Sequence, residues 1–137
     1  MCPPDSIREV RTDSAPAPVG PYSQGVRHDG LLFASGQIPL DPATGEIVGG
    51  GIEAQTRQVL ANLRAILEAG GSGLQHALKV TVYLTDMGDF PRVNAIYAEA
   101  FDGDPAPARA TVQVSALPLG AQVEIDAVAR VVASESS

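Results

Sequence analysis

Two side chains near the C-terminus, on successive strand-like runs, are of types that could handle a small carboxylate. Arg109 opens the run "ARATVQV" directly after Pro105 and Pro107, where a stiff backbone fixes the origin of the side chain. A guanidinium there can clamp a carboxylate through two parallel hydrogen bonds, or it can form an ordinary surface ion pair. Glu124, in "QVEIDAVARVV", can hold or activate a water, or it can stand as a solvated strand carboxylate.

Other chemistries find little material. Cys2 is the only cysteine and lies in a polar N-terminus, which excludes a disulfide framework or thiolate cluster. His28 and His76 are the only histidines, so a zinc site would need mostly carboxylate ligands, and no metal is expected. Both read as structural or solvated residues. Lys79, the single lysine, precedes an apolar run and is a poor Schiff-base candidate. The glycines at 49–51 and at 70, 71 and 73 match neither GxxxxGKS/T nor a strand-linked GxGxxG, and read as a loop and a helix cap. No GxSxG is present to seat a nucleophilic serine.

Composition narrows the partners. With 137 residues, 45% apolar and 18% charged, the chain supports one core, mainly aliphatic because aromatics are scarce. The formal net charge of −7 is the wrong sign for neutralising phosphates, so nucleic acid is an unfavourable partner. No apolar run approaches the roughly 20 residues needed to span a bilayer, nor is there a signal-peptide-like stretch, so the expectation is a cytoplasmic protein without membrane attachment.

The elements that must position Arg109 and Glu124 follow from periodicity. One domain covers 1–137, with 1–7 and 133–137 expected to fray. The proline-rich "SAPAPVGP" is irregular, and Asp29-Gly30 joins strands expected near Ser23–His28 and Leu31–Gln37 as a hairpin. A loop, "PLDPATGEIVGGG", leads to a helix from Ile52 to Ala69, with an apolar stripe at 52, 59, 60, 63, 66 and 67. The strand "LKVTVYL" follows. A second helix should take Asp89 as N-cap and Pro91 in its first turn, with Phe90, Val93, Tyr97, Ala100 and Phe101 as its stripe.

The last two runs read as an antiparallel hairpin with Ser115 opposite Gln122. Arg109, Thr111 and Gln113 then share a polar face with Gln122, Glu124 and Asp126. That register puts Glu124 opposite Gln113, about 13 Å along the strand from Arg109. One small substrate would struggle to touch both within a single hairpin; if they act together, the economical arrangement is a cleft between subunits, with Arg109 from one chain and Glu124 from its neighbour. The element order predicts an α+β architecture, a single mixed sheet with two helices packed on one face. The uncovered face would hold Phe33 or Leu32, Tyr83 and Val128, apolar enough to call for oligomerisation.

Beyond these patterns, "APAPVGPYSQGV", "LFASGQIPLDPATGEIV", "TRQVLANLRAILEAGG", "VTVYLTDMGDFPRVNAIYAEAF" and "PARATVQVSALPLGAQVEIDAVA" together resemble the Rid/YjgF family of reactive intermediate (enamine/imine) deaminases. The likeness runs from about Ala15 to Val131. It implies a chorismate-mutase-like fold, a homotrimer with ligand clefts between subunits, and cofactor-free hydrolysis of imines such as 2-iminopropanoate, the tautomer of 2-aminoacrylate. It also implies that Arg109 binds the substrate carboxylate, that Glu124 positions water, and that Tyr22, Ser35, Gly36 and Asn94 line the cleft.

Some positions depart from the family pattern. Thr111 stands where many members have cysteine, which removes thiol chemistry but leaves a hydroxyl for water or substrate. Gln113 replaces a common acid, and the loop "DGDPA" is shorter than in many members, which could alter the cleft. A larger enamine acid, oxo-acid binding without turnover, and RNA cleavage are the competing readings; the acidic charge makes the last the weakest.

Overall fold

In the computed structural model, which describes residues 6–132, six strands form one sheet: β1 (Arg8–Val10), β2 (Gly25–His28), β3 (Leu31–Gln37), β4 (Ala77–Leu84), β5 (Ala108–Gln113) and β6 (Val123–Arg130). Their spatial order is β1-β2-β3-β6-β4-β5. Helices α1 (Gly51–Ala69) and α2 (Phe90–Ala100) pack together on one face, giving the expected α+β layers. Cys2, residues 133–137 and most of the N-terminal segment expected to fray lie outside the described residues. The short β1 was not anticipated; three residues are too few for periodicity to register.

The helix patterns translate directly. Ile52, Val59, Leu60, Leu63, Ile66 and Leu67 of α1 are all buried, against Leu32, Val80, Val82, Leu84, Val123 and Ile125 of the sheet. Burial of each such aliphatic side chain contributes about 1.5–3 kcal/mol. Asp89 does occupy the N-cap of α2, but its carboxylate accepts from Arg92 at 2.9 Å and makes no capping bond. Asp86 instead caps the preceding 3-10 turn, accepting from the Gly88 N–H at 2.9 Å. Among the described residues no helix is long and apolar enough to cross a membrane.

Asp29 and Gly30 both have positive φ, 51° and 79°, the conformation of a two-residue turn, and His28 pairs with Leu31 across it. The C-terminal hairpin, in contrast, does not form. β4 lies between β5 and β6, parallel to the first and antiparallel to the second. The β-branched, alternating β4 gains two hydrogen-bonding neighbours this way, and 114–122 is long enough to pass over it. Val114 donates to the Leu84 carbonyl and Thr85 to that of Gln122, so both ends of the connection are tied to β4.

The new pairing also separates the polar sets. Arg109 pairs with Val80, a core residue, and therefore sits on the helix side; Glu124 pairs with Tyr83 on the open side. Polar side chains are tolerated on the helix side of β5 because it is the edge strand, where they reach the rim of the core beside α2. The open face carries Val26, Phe33 and Val128 in register, with Tyr83 and Val112 further along, whereas Leu32 is fully buried on the covered face.

Candidate active site

A β-bulge shapes the first half of the site. Ala34 pairs with Ala127 but Gln37 with Ile125, leaving Ser35 and Gly36 as three residues' advance on β3 is matched by two on β6. The bulge opens onto a cavity of about 370 Å³ lined by Tyr22, Ser35, Gly36 and Glu124, with Val19, Ile38, Leu40 and Pro118 among its apolar walls. Four of the residues singled out by sequence therefore converge. The Ser35 hydroxyl donates to the Ser23 carbonyl at 2.6 Å and its N–H to that of Gln24 at 2.9 Å, so its proton braces the wall of the cavity. Tyr22 is half-exposed at the mouth, its hydroxyl accepting from the Val19 N–H at 3.3 Å.

Glu124 is the acid of this cavity. Partial burial, and secondarily the neighbouring Asp126 charge, raise its pKa above the ordinary 4.5, which favours a carboxyl able both to take and to return a proton. Asp126 itself accepts a hydrogen bond from the Tyr83 hydroxyl at 3.0 Å. Burial first, then that bond to Asp126, raise the Tyr83 pKa, so the phenol stays protonated and keeps donating.

Three buried amides hold the irregular segments around the cavity, and sequence reasoning passed over all of them. Gln24 donates to the carbonyls of Thr12, Ala15 and Pro16 at 3.0, 3.3 and 2.9 Å and accepts from the Thr12 N–H at 2.7 Å. Asn62, in the middle of α1, donates to Ile38 and Leu40 carbonyls at 3.2 and 2.9 Å. Gln55 accepts from the Gln122 N–H at 2.9 Å, fixing the entry to β6. For Gln55 and Asn62 the available signal was polarity on the core side of the α1 stripe, where a buried amide must find partners.

The second half lies on the other side of the sheet. Arg109 is exposed at the β5 edge, donates to Asn94 Oδ1 at 2.6 Å, and lies over the rings of Tyr97 and Phe90, 4.7 and 5.4 Å from their centroids. Among the described residues no carboxylate pairs with it, so the surface ion pair allowed by its sequence is absent. Thr111, two residues on, has a buried hydroxyl without a hydrogen-bond partner among the described residues, and Gln113 accepts from the Met87 N–H at 2.7 Å. His28 sits 3.2 Å from Asp29 in its hairpin, and His76 ends a 3-10 turn; neither lines the cavity.

Within the chain the two halves do not meet. With β4 between their strands and three residues of offset, Arg109 and Glu124 are roughly 14 Å apart at Cα and point to opposite faces. The shared polar face expected from the hairpin is thus corrected. A separation near the expected one nevertheless survives.

The model of the family described as endoribonuclease L-PSP, the Rid/YjgF group, matches residues 12–131. The chain belongs to this family. A RutC family protein of Pyrococcus horikoshii is 56% identical over 120 residues, 88% of this chain and 94% of that protein. The mouse 2-iminobutanoate/2-iminopropanoate deaminase is 49% identical over 124 residues, 90% of this chain and 91% of the mouse protein. The crystal structure of Escherichia coli TdcF with bound serine is 41% identical, with a TM-score of 0.84 over 90% of this chain and 98% of that one. The six-stranded sheet with its two helices is the fold of this family's solved structures.

Proposed function

We propose that the protein is a cofactor-free hydrolytic deaminase of 2-imino acids, the tautomers of 2-enamine acids, releasing a 2-oxo acid and ammonia. The observation that carries this reading is Arg109: a guanidinium held by neutral and aromatic partners, with its charge uncompensated, suits a substrate carboxylate. The mouse relative's name supplies the reaction class, and serine bound to TdcF is a small ligand bearing a carboxylate and an amine.

The working site of this reading lies in a homotrimer, where the Arg109 half of one protomer faces the Glu124 cavity of the next. Arg109 holds the carboxylate and so fixes C2 of the imine. Glu124 takes a proton from a water as the water oxygen bonds to C2 and the C=N π pair moves to nitrogen, and Glu124 passes that proton to the nitrogen to give a carbinolamine. Glu124 then takes the carbinolamine hydroxyl proton and delivers it to the amine, the C–N bond breaks, and ammonia leaves as the carbonyl forms. Backbone groups of Gly36, at the bulge beside Ser35, orient the nitrogen, and the Thr111 hydroxyl assists the water or substrate. Imine hydrolysis is already fast in water, so positioning and one proton relay suffice.

The test follows the decay of 2-iminopropanoate, generated in situ from serine by a dehydratase and trapped with semicarbazide. Wild type should accelerate the decay, and Arg109→Ala should abolish the acceleration without changing assembly. Retained activity in Arg109→Ala overturns the carboxylate-clamp role. Tight 2-oxo acid binding without ammonia release would replace turnover with ligand sensing.

A further inference from the structure

Phe90, Asn94 and Tyr97 recur at positions i, i+4 and i+7 of α2, one helix face, and all three contact Arg109. Asn94 takes one guanidinium N–H with a neutral oxygen, which leaves the positive charge undiminished. The two rings take its plane. Tyr97 is the nearer ring and the better fixed, 7% exposed and packed against Phe101 at 4.4 Å between centroids with a 31° tilt.

We infer that Tyr97 is a positioning residue for Arg109, the aromatic platform that aims the guanidinium so that its remaining N–H groups are free for a ligand carboxylate. The inference rests on the reading of Arg109 as a carboxylate clamp and extends it to the residue that sets the clamp. An exposed arginine otherwise samples many rotamers, and binding must then order it. A cation held over an aromatic face is ordered in advance, at no cost in charge. The stack Phe101, Tyr97, Arg109 therefore transmits the rigidity of the α2 core contact to the edge of β5.

The Tyr97 hydroxyl sharpens the test. It is buried and has no hydrogen-bond partner among the described residues, and burial raises its pKa against a smaller lowering by Arg109, so it remains a neutral phenol. In the platform role only the ring matters, and Tyr97→Phe removes nothing that Arg109 uses. Tyr97→Leu removes the ring face while keeping an apolar side chain in the core.

The experiment measures kcat and KM for imine hydrolysis and, separately, the Kd of 2-oxobutanoate by calorimetry, on assembled wild type, Tyr97→Phe and Tyr97→Leu. Tyr97→Phe should stay within about twofold of wild type, while Tyr97→Leu should raise KM and Kd together by about 5- to 20-fold with kcat little changed. If Tyr97→Leu does not assemble, Tyr97→Met fills a similar space without an aromatic face and carries the same expectation. Wild-type Kd in an assembled Leu or Met variant overturns the inference. So does an equal loss in Tyr97→Phe, which would assign the effect to the hydroxyl. A wild type that binds 2-oxobutanoate but hydrolyses no imine refutes the catalytic reading alone, and the Kd comparison still decides the role of Tyr97. A wild type that does not bind 2-oxobutanoate refutes the clamp and this inference with it.

Discussion

Gly36 approaches the Glu124 carboxylate so closely that a Cβ at position 36 would overlap Glu124 Oε2 and come within 2.9 Å of its Cδ. The clash falls on the end of a flexible side chain, which can swing away. Gly36→Ala should therefore leave the fold nearly as stable as wild type while displacing the acid. Since misplacement of a catalytic group by about 1 Å can cost 10²-fold, imine hydrolysis should fall at least tenfold with the melting temperature little changed. An active Gly36→Ala would mean that the position of the carboxylate is not critical.

Glu124 links function to pH-dependent stability. Its folded pKa lies above the ordinary 4.5, from burial first and Asp126 second, so the folded chain binds this proton more tightly than the unfolded chain does. Stability from this group is complete below about pH 4.5, declines as pH rises through the folded pKa, and then levels off. Glu124→Gln removes the penalty on the ionised form. The variant should melt higher than wild type at pH 7 and alike near pH 4, with activity lowered by about 10²- to 10⁴-fold. A wild type that melts higher than the variant at pH 7 would show that a cation near Glu124 outweighs burial.

Asn62 secures the cavity wall from inside the core. Replacing it with Leu leaves the Leu40 carbonyl without its side-chain donor and the Ile38 carbonyl with only the Leu40 N–H at 2.7 Å, and also strands the Gln58 amide that donates to Asn62 Oδ1 at 2.9 Å. The expected loss is about 2 kcal/mol or more, because unpaired buried groups forfeit hydration as well as the bond. Urea denaturation of Asn62→Leu measures it. A loss under about 0.5 kcal/mol would show that water replaces the amide.

Much of this fold was legible where a single period and a local turn determine structure. The α1 stripe from Ile52 to Leu67, the Asp29-Gly30 turn and Pro91 at the start of α2 all rest on neighbours in sequence. Strand order does not. The runs containing Arg109 and Glu124 alternate equally well as a hairpin or as strands flanking β4, and their own patterns cannot report the third strand between them. The face of Arg109 followed from that pairing and was misread with it. Family resemblance named Tyr22, Ser35, Gly36 and Asn94; the structure separates them into the cavity and the Arg109 side. The amides of Gln24, Gln55 and Asn62 were illegible as clamps because their partners are backbone groups remote in sequence.

Opposite-face placement of Arg109 and Glu124 yields a decisive experiment on assembly. If each site joins Arg109 of one protomer to Glu124 of its neighbour, Arg109→Ala and Glu124→Gln subunits can complement one another. In a cyclic trimer formed at random from equal amounts, every mixed trimer contains one boundary at which an intact arginine meets an intact glutamate. About a quarter of all sites should then be active, although either variant alone is inactive. Were both residues needed from the same protomer, mixing would restore nothing, since every protomer lacks one of them. Co-expression with two affinity tags, isolation of the doubly tagged species and the semicarbazide assay distinguish the outcomes. Recovered activity would establish the inter-protomer site; none, from verified mixed trimers of otherwise folded subunits, would require β5 and β6 of one chain to reach a common ligand.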